Sequence, residues 1–362
     1  MTDTSHLEAT VEYTRYYIFY TIYSRYMFRP KKIGIDLGTA NTVVALVGQG
    51  IVLNEPTVVA VNIDDSSVVA VGNEALTMLG RTPDNIVASR PLKNGAIADY
   101  AVTEAMLKYF LRKVTGRFAL IKPDVFIATP AGVTSVESRA VQDATLNAGA
   151  KSVTLVPEPL AAAIGAKLRV SDASGSMIIN AGGGTTEVAV ISLSGLVRYG
   201  STRVAGNAID DAIMGHLRKK YNLIVGERTA EDIKKKIGMA VNEGDLKIME
   251  VKGRDSVMGL PRTVEITSKE ITTAIEPVLN MMLAGVKEVL EDTPPELASD
   301  IIDKGIVMSG GTALLGGIDK YFTVHTGVPV YVVENPLFCV VEGLEEIAGD
   351  RDKFRNALIK SV

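Results

Sequence analysis

Ile33-Gly34-Ile35-Asp36-Leu37-Gly38-Thr39-Ala40-Asn41-Thr42 has a counterpart roughly 150 residues later, Ile178-Ile179-Asn180-Ala181-Gly182-Gly183-Gly184-Thr185-Thr186-Glu187. Each stretch opens on a short apolar run with the character of a buried strand, then meets a glycine turn flanked by small hydroxyl residues. Glycine lets backbone N–H groups close around phosphate oxygens with no Cβ in the way, and threonine adds a hydroxyl donor. One such loop alone reads equally well as an ordinary hairpin. Two of the same form point to a nucleoside triphosphate held between two similar domains. No Gly-x-x-x-x-Gly-Lys-Ser/Thr occurs, which argues against a Walker-type loop. Neither stretch has Gly-x-Gly-x-x-Gly opening into a helix, which argues against a dinucleotide-binding fold.

The chain, at 362 residues, is long enough for two domains of ordinary size. With 47% apolar and 22% charged residues it has the composition of a folded protein, not a disordered one. A net charge of −4 gives no reason to expect nucleic acid as a partner. The single cysteine, Cys339, lies in an apolar run and reads as a buried structural thiol, and three scattered histidines make a zinc site improbable. No run of 18 apolar residues occurs, so a spanning helix is not expected, and a reducing cytoplasmic compartment is.

Residues 13–28 carry eight of the twenty aromatic residues, with Tyr13, Tyr16, Tyr17, Tyr20 and Tyr23 at helical spacing and Arg15, Arg25 and Arg29 nearby. Two readings stand side by side. One is an interfacial membrane anchor. The other is a mis-assigned start, with Met27 leading into the strand at Ile33. From there the pattern predicts a meander of short strands at 33–38, 42–47, 51–53 and 57–63. An amphipathic helix follows at 102–115, burying Val102, Met106, Tyr109, Phe110 and Val114. A strand at 125–130, a helix at 135–148, a strand at 153–156 and a helix at 160–168 complete the first half. The strand–loop–strand–strand order then restarts at Met177. A long helix is predicted over 268–291, and Gly310-Gly311 reads as a third glycine turn, opening a helix whose N–H groups suit an anion. The repetition predicts a duplicated domain with its ligand between the copies; two unrelated α/β domains in tandem are the alternative.

On these residues the chain resembles the MreB-type bacterial actins. The likeness runs from Gly34-Ile-Asp-Leu-Gly-Thr-Ala-Asn-Thr through Gly50-Ile-Val-Leu-Asn-Glu-Pro56, Gly80-Arg-Thr-Pro83 and Gly182-Gly-Gly-Thr-Thr-Glu. It continues in Gly226-Glu-Arg-Thr-Ala-Glu231 and Pro294-Pro-Glu-Leu-Ala-Ser-Asp300, and covers about residues 32–345. The resemblance implies the actin/hexokinase/heat-shock ATPase fold: duplicated actin-like (ribonuclease H-like) α/β domains, four subdomains around a central cleft. It implies ATP with Mg2+ in that cleft, homopolymer filaments under the inner membrane, and work with cell-wall synthesis or morphogenesis proteins to set rod shape. The implied division is an extension at 1–31, a first domain at 32–170 with an insert at about 62–97, a second at 171–331 with an insert at about 206–264, and a return to the first at 332–362. By position, Ala40, Asn41 and Thr42 with Gly183, Gly184 and Thr185 would cradle the phosphates. Glu231, Asp232, Ile233 and Lys234 with Gly311, Thr312, Ala313 and Leu314 would border the nucleoside. Asp36 would act on Mg2+ through water, Glu158 would polarise the attacking water, and Thr185 would hold the γ-phosphate side. Without the resemblance, Glu158 reads as a solvated loop carboxylate. Gly116-Arg-Phe118-Ala-Leu120-Ile121 sits where these proteins carry a membrane-inserting loop; packing of Phe118 and Leu120 on the domain is the alternative.

The chain departs from the family pattern at sensitive places. Asn180 and Asn207 stand where the family carries aspartates, which removes negative charge beside metal and phosphates. Thr312 stands where a glycine is usual, and is expected to bring a β-branched side chain close to the base. The expectation is that nucleotide binding survives and hydrolysis is slow. Two rival readings share the fold: an organelle-positioning filament like MamK, and a sugar or acid kinase, for which no carboxylate base besides Glu158 is found.

Overall fold

Two sheets of the same design are built outward from the two glycine stretches. In this computed structural model, which describes residues 30–116 and 121–354, β1 (Lys32–Leu37) turns back into β2 (Asn41–Leu46), and β3 (Gly50–Pro56) continues the antiparallel meander. The chain then leaves the sheet to form a small one of β4 (Val59–Asn62), β5 (Val68–Val71) and β6 (Ile86–Ser89), followed by the short hairpin of β7 (Leu92–Lys93) and β8 (Ala96–Ile97). It returns as β9 (Asp124–Thr129), parallel to β1, and β10 (Ser152–Pro157), parallel to β9. Parallel neighbours need crossovers, supplied here by the helices Tyr100–Thr115 and Ser135–Asn147. The resulting order is β10-β9-β1-β2-β3.

The second half repeats this. The meander is β11 (Ser176–Ala181), β12 (Thr186–Ser192) and β13 (Gly195–Thr202). An excursion forms the sheet of β14 (Leu223–Ile224), β15 (Ile248–Asp255) and β16 (Pro261–Thr267). Then β17 (Ile306–Ser309) joins parallel to β11, and β18 (Val330–Val332) parallel to β17. Both five-stranded sheets thus have a three-stranded antiparallel meander whose first strand carries two parallel additions, as the duplicated reading requires. All six residues of β11 are buried, as expected of a central strand covered on both faces.

Local chemistry accounts for the helix ends. Thr134 with Glu137, and Thr267 with Glu270, form reciprocal capping boxes at the starts of Ser135–Asn147 and Ser268–Glu291. The helix Tyr100–Thr115 is capped by Asp99 and buries Thr103, Met106, Leu107, Phe110 and Leu111. Its inward face is therefore turned from the one expected: Tyr109 lies at the exposed edge, with Lys113 against its ring. The helix Glu158–Gly165 starts two residues before the predicted position, because Pro159 is acceptable in a first turn, and stops early where Lys167 takes a positive φ of 60°. It is buried from Pro159 to Gly165 and packs against the helix Cys339–Gly349. Cys339 is buried, as expected, and burial pushes its thiol up to about 11.

Gly311–Leu314 is a single 3-10 turn and not the start of an α-helix; the chain bends again at Gly316-Gly317 before the helix Ile318–Thr326. The expected run of N–H groups at a helix start is therefore missing at Gly311. The aromatic segment at 13–28, and Phe118 and Leu120, lie outside the described residues.

Candidate functional site

The two glycine hairpins face each other across the main cleft. Asp36, Gly38, Thr39, Ala40 and Asn41 line it from the first half, and Asn180, Gly182, Gly183, Gly184 and Thr185 from the second. A Cβ placed on Gly183 would lie 2.9 Å from the Cβ of Ala40, and one on Gly184 would lie 2.5 Å from Thr39 Oγ1. Only glycine permits that approach, and it leaves backbone facing backbone where a phosphate chain needs N–H groups.

The second hairpin is braced on three sides. Gly182 N–H donates to Thr185 O at 2.8 Å within its own turn, and Asn207 N–H donates to Gly183 O at 2.7 Å from the helix Gly206–Tyr221. The Thr312 hydroxyl donates to Gly182 O at 2.6 Å. Thr312 is buried, with its hydroxyl turned to this hairpin.

A third element, for which the sequence reading assigned no role, packs against both hairpins. Asn94 and Gly95, both at positive φ, make the tight turn between β7 and β8. Gly95 N–H donates to Thr39 Oγ1 at 3.1 Å, and a Cβ on Gly95 would lie 2.9 Å from the methyl of Thr185. The signal was present as an Asn-Gly dipeptide. Thr39, outside the expected phosphate set, lines the cleft, and Thr42 does not. The Thr42 hydroxyl is fully buried, 2.9 Å from that of Thr57.

The chemistry of the floor is acidic. Burial pushes the Asp36 carboxyl up to about 7. Glu158 is held well above the carboxylate range by burial first and then by the charges of Asp36 and Glu187, while an Asn180 hydrogen bond pulls the other way. Glu158 Oε1 accepts Asn180 Nδ2–H at 2.8 Å, and Asn180 Oδ1 accepts the Ser309 hydroxyl at 2.8 Å. Glu187 is fully buried and accepts from Ala131 N–H and the Ser201 hydroxyl. Among the described residues no three His, Cys, Asp or Glu side chains converge into an all-protein metal cage. Asp36 and Glu158, neither in an ion pair among the described residues, would suit a magnesium ion that keeps several of its waters.

The nucleoside-side residues are arranged differently from the phosphate hairpins. Gly310 and Gly311 line the cleft with Pro336, Leu337 and Phe338. Glu231, Asp232, Ile233 and Lys234 stand on the helix Glu227–Ile237, away from the lining set. Ile233 is fully buried in the core, and Lys234 donates to Asp210 Oδ2 at 2.8 Å and Gly206 O at 3.0 Å. Burial pushes Asp210 up to about 6 despite that lysine. Ala313 is buried, and Leu314 is 59% exposed.

Comparison with known proteins agrees with this geometry. The family model described as MreB/Mbl protein matches residues 30–356. The chain is 46% identical over 323 residues to the cell shape-determining protein Mbl of Bacillus subtilis, covering 89% of this chain and 97% of that one. It is 49% identical over 316 residues to the cell shape-determining protein MreB of Escherichia coli, covering 86% and 91%. Among solved structures, MreB5 of Spiroplasma citri bound to ADP superposes with a TM-score of 0.85 at 38% identity, over 90% of this chain and 98% of that one. A MamK double helical filament superposes with a TM-score of 0.76 at 18% identity, over 89% and 99%, a likeness of fold alone. By sequence, fold and the paired hairpins of its cleft, the chain belongs to the MreB/Mbl family.

Proposed function

We propose that this protein is an ATP-binding bacterial actin that polymerises into membrane-associated filaments and helps set cell shape by organising cell-wall synthesis. The observation that carries the reading is the facing pair of glycine hairpins with Asp36 and Glu158 on the floor between them. It is supported by relatives named as cell shape-determining proteins, by MreB5 of Spiroplasma citri solved with ADP and with AMPPNP, and by the filament formed by MamK on the same fold.

In this reading Thr39, Ala40, Asn41, Gly183, Gly184 and Thr185 hold the phosphates. Gly311 borders the nucleoside, with Glu231 and Lys234 on the far side. Asp36 would hold Mg2+ through water, and the ion would supply positive charge that offsets the phosphates and this carboxylate. Glu158 accepts the proton of a water whose oxygen bonds to the γ-phosphorus as the bond to the bridging oxygen breaks, leaving ADP and phosphate. With Asn180 and Asn207 in place of carboxylates, this turnover is slow.

Among the described residues no helix is long and apolar enough to cross a membrane. Membrane association is assigned to Phe118 and Leu120, with Arg112, Arg117 and Lys122 as the cations for anionic headgroups, at about 1 kcal/mol per basic residue near the surface, while Lys113 is paired with Glu55. Liposome co-sedimentation tests it with residues 1–26 removed: a Phe118→Ser, Leu120→Ser double variant that binds like its parent rejects the loop as anchor. The filament reading is tested by sedimentation and electron microscopy with ATP and Mg2+ at micromolar protein. Protein that stays monomeric in the supernatant across salt and temperature rejects it.

A further inference from the structure

Asn180, Glu158 and Ser309 form a chain of side chains drawn from three elements. Asn180 lies in β11, opposite Ser309 of β17 in the parallel register, and Glu158 begins the buried helix that follows β10. Asn180 and Ser309 are 2% and 0% exposed, so neither has solvent to turn to. In the structure the amide nitrogen of Asn180 donates to Glu158 Oε1, a bond that favours the ionised carboxylate and works against the burial that raises its pKa. That leaves the amide oxygen toward Ser309, whose hydroxyl must then donate. The arrangement is directional: Ser309 fixes the amide, and the amide holds Glu158 Oε1 at 2.8 Å, while Oε2 takes no hydrogen bond among the described residues.

We propose that Asn180, fixed by Ser309, is the positioning residue for Glu158, aiming one carboxylate oxygen at the attacking water. The inference rests on the reading of Glu158 as the water-activating carboxylate. An aspartate at 180 has no proton to donate when ionised, so this hold on Glu158 belongs to the amide of this chain. Misplacement of a reacting group by about 1 Å costs up to roughly a hundredfold in rate, and this contact is of the kind that prevents it.

Two measurements test it. The first is made without nucleotide, on protein labelled with nitrogen-15 asparagine. The Asn180 side-chain amide signal, assigned by its loss in Asn180→Ala, should lie away from the position of solvent-exposed asparagines, and should move to that position in Ser309→Ala and in Glu158→Ala. The second is single-turnover phosphate release with ATP and Mg2+. Ser309→Ala and Asn180→Ala should each slow release by about tenfold, with nucleotide affinity changed less than about twofold, and Ser309→Thr, which keeps the hydroxyl, should restore the parent rate. An Asn180 signal at the solvent-exposed position in the parent overturns the proposal. So does parent-like release in Ser309→Ala and Asn180→Ala while Glu158→Ala is slow. If Glu158→Ala itself releases phosphate at the parent rate, the reading of Glu158 is wrong and the positioning role falls with it.

Discussion

Glu187 on β12 accepts the backbone N–H of Ala131 at 3.0 Å, and that bond joins the meander of the second sheet to the loop that follows β9 of the first. The same carboxylate takes the Ser201 hydroxyl of the neighbouring strand β13. A fully buried acid with two donors is therefore a tie between the halves that carry the two phosphate hairpins. Breaking such a bond strands a buried partner, which costs more than the bond's net worth.

Glu187→Ala should lower unfolding free energy by about 2 kcal/mol, since two buried hydrogen bonds are lost at once and their donors are left unpaired. Glu187→Gln should cost much less, because it still offers Ala131 an acceptor. Burial holds this carboxyl above its ordinary 4.5, so the native state keeps a proton that the unfolded chain has released. Stability contributed by Glu187 is thus full below about pH 4.5 and is lost as pH rises through the native value. Chemical denaturation of the glutamine variant at several pH values should show a shallower fall; a slope equal to the parent's rejects the account.

Asp36 yields a second pH prediction, with the metal as the lever. Burial raises its carboxyl from 3.8 to about 7, so without nucleotide it costs stability as pH rises across that interval. A cation favours the ionised form, and binding below about pH 7 must release a proton. The rise in melting temperature caused by Mg2+ with ADP should therefore be larger at pH 8 than at pH 6. Asp36→Asn should flatten the difference. Equal magnesium-dependent shifts at both pH values in the parent would show that Asp36 does not face the ion.

Thr312 is a departure from the family pattern that the structure turns into a brace. Its hydroxyl donates to Gly182 O, at the base of the second glycine hairpin. Thr312→Val keeps the shape and removes the donor. About 1 kcal/mol of stability should be lost, and nucleotide affinity should weaken a few-fold as the hairpin loosens. Isothermal titration with ADP reads the second effect. Unchanged affinity in the valine variant would mean that the remaining bonds from Gly206 and Asn207 hold the hairpin by themselves.

Which features were legible follows from how local their causes are. The helix Ser268–Glu291 could be read to the residue, because its capping pair Thr267 and Glu270 and its apolar period lie within the segment. The strand that carries each phosphate loop was visible for the same reason. The Asn94-Gly95 turn was overlooked because its strands are two residues long and show no alternation. The direction of Thr312 depends on Gly310, whose φ of 88° swings the chain, and on Gly182, 130 residues away. Glu158 and Asn180 meet only because β10 and β11 end at the same cleft, and no spacing in the sequence records that.

Asn180 carries the last prediction, since its amide does a different job from the one an aspartate would do there. It orients Glu158, but it adds no negative charge for a magnesium ion and its waters to meet. Asn180→Asp trades the hold on Glu158 for a charge that faces the metal, and with Mg2+ and ATP bound the second effect should win, raising phosphate release above the parent by about tenfold. Asn180→Ala should fall below the parent, and Glu158→Ala should remove what activity remains. The aspartate variant has a cost that exposes the mechanism: without metal, its carboxylate stands beside Glu158 and near Asp36, where burial already disfavours charge. Its melting temperature should lie below the parent's in chelator and recover with Mg2+ and nucleotide. Should the parent already release phosphate as fast as Asn180→Asp, the amide is neutral for turnover, and slow hydrolysis is not a property of this site.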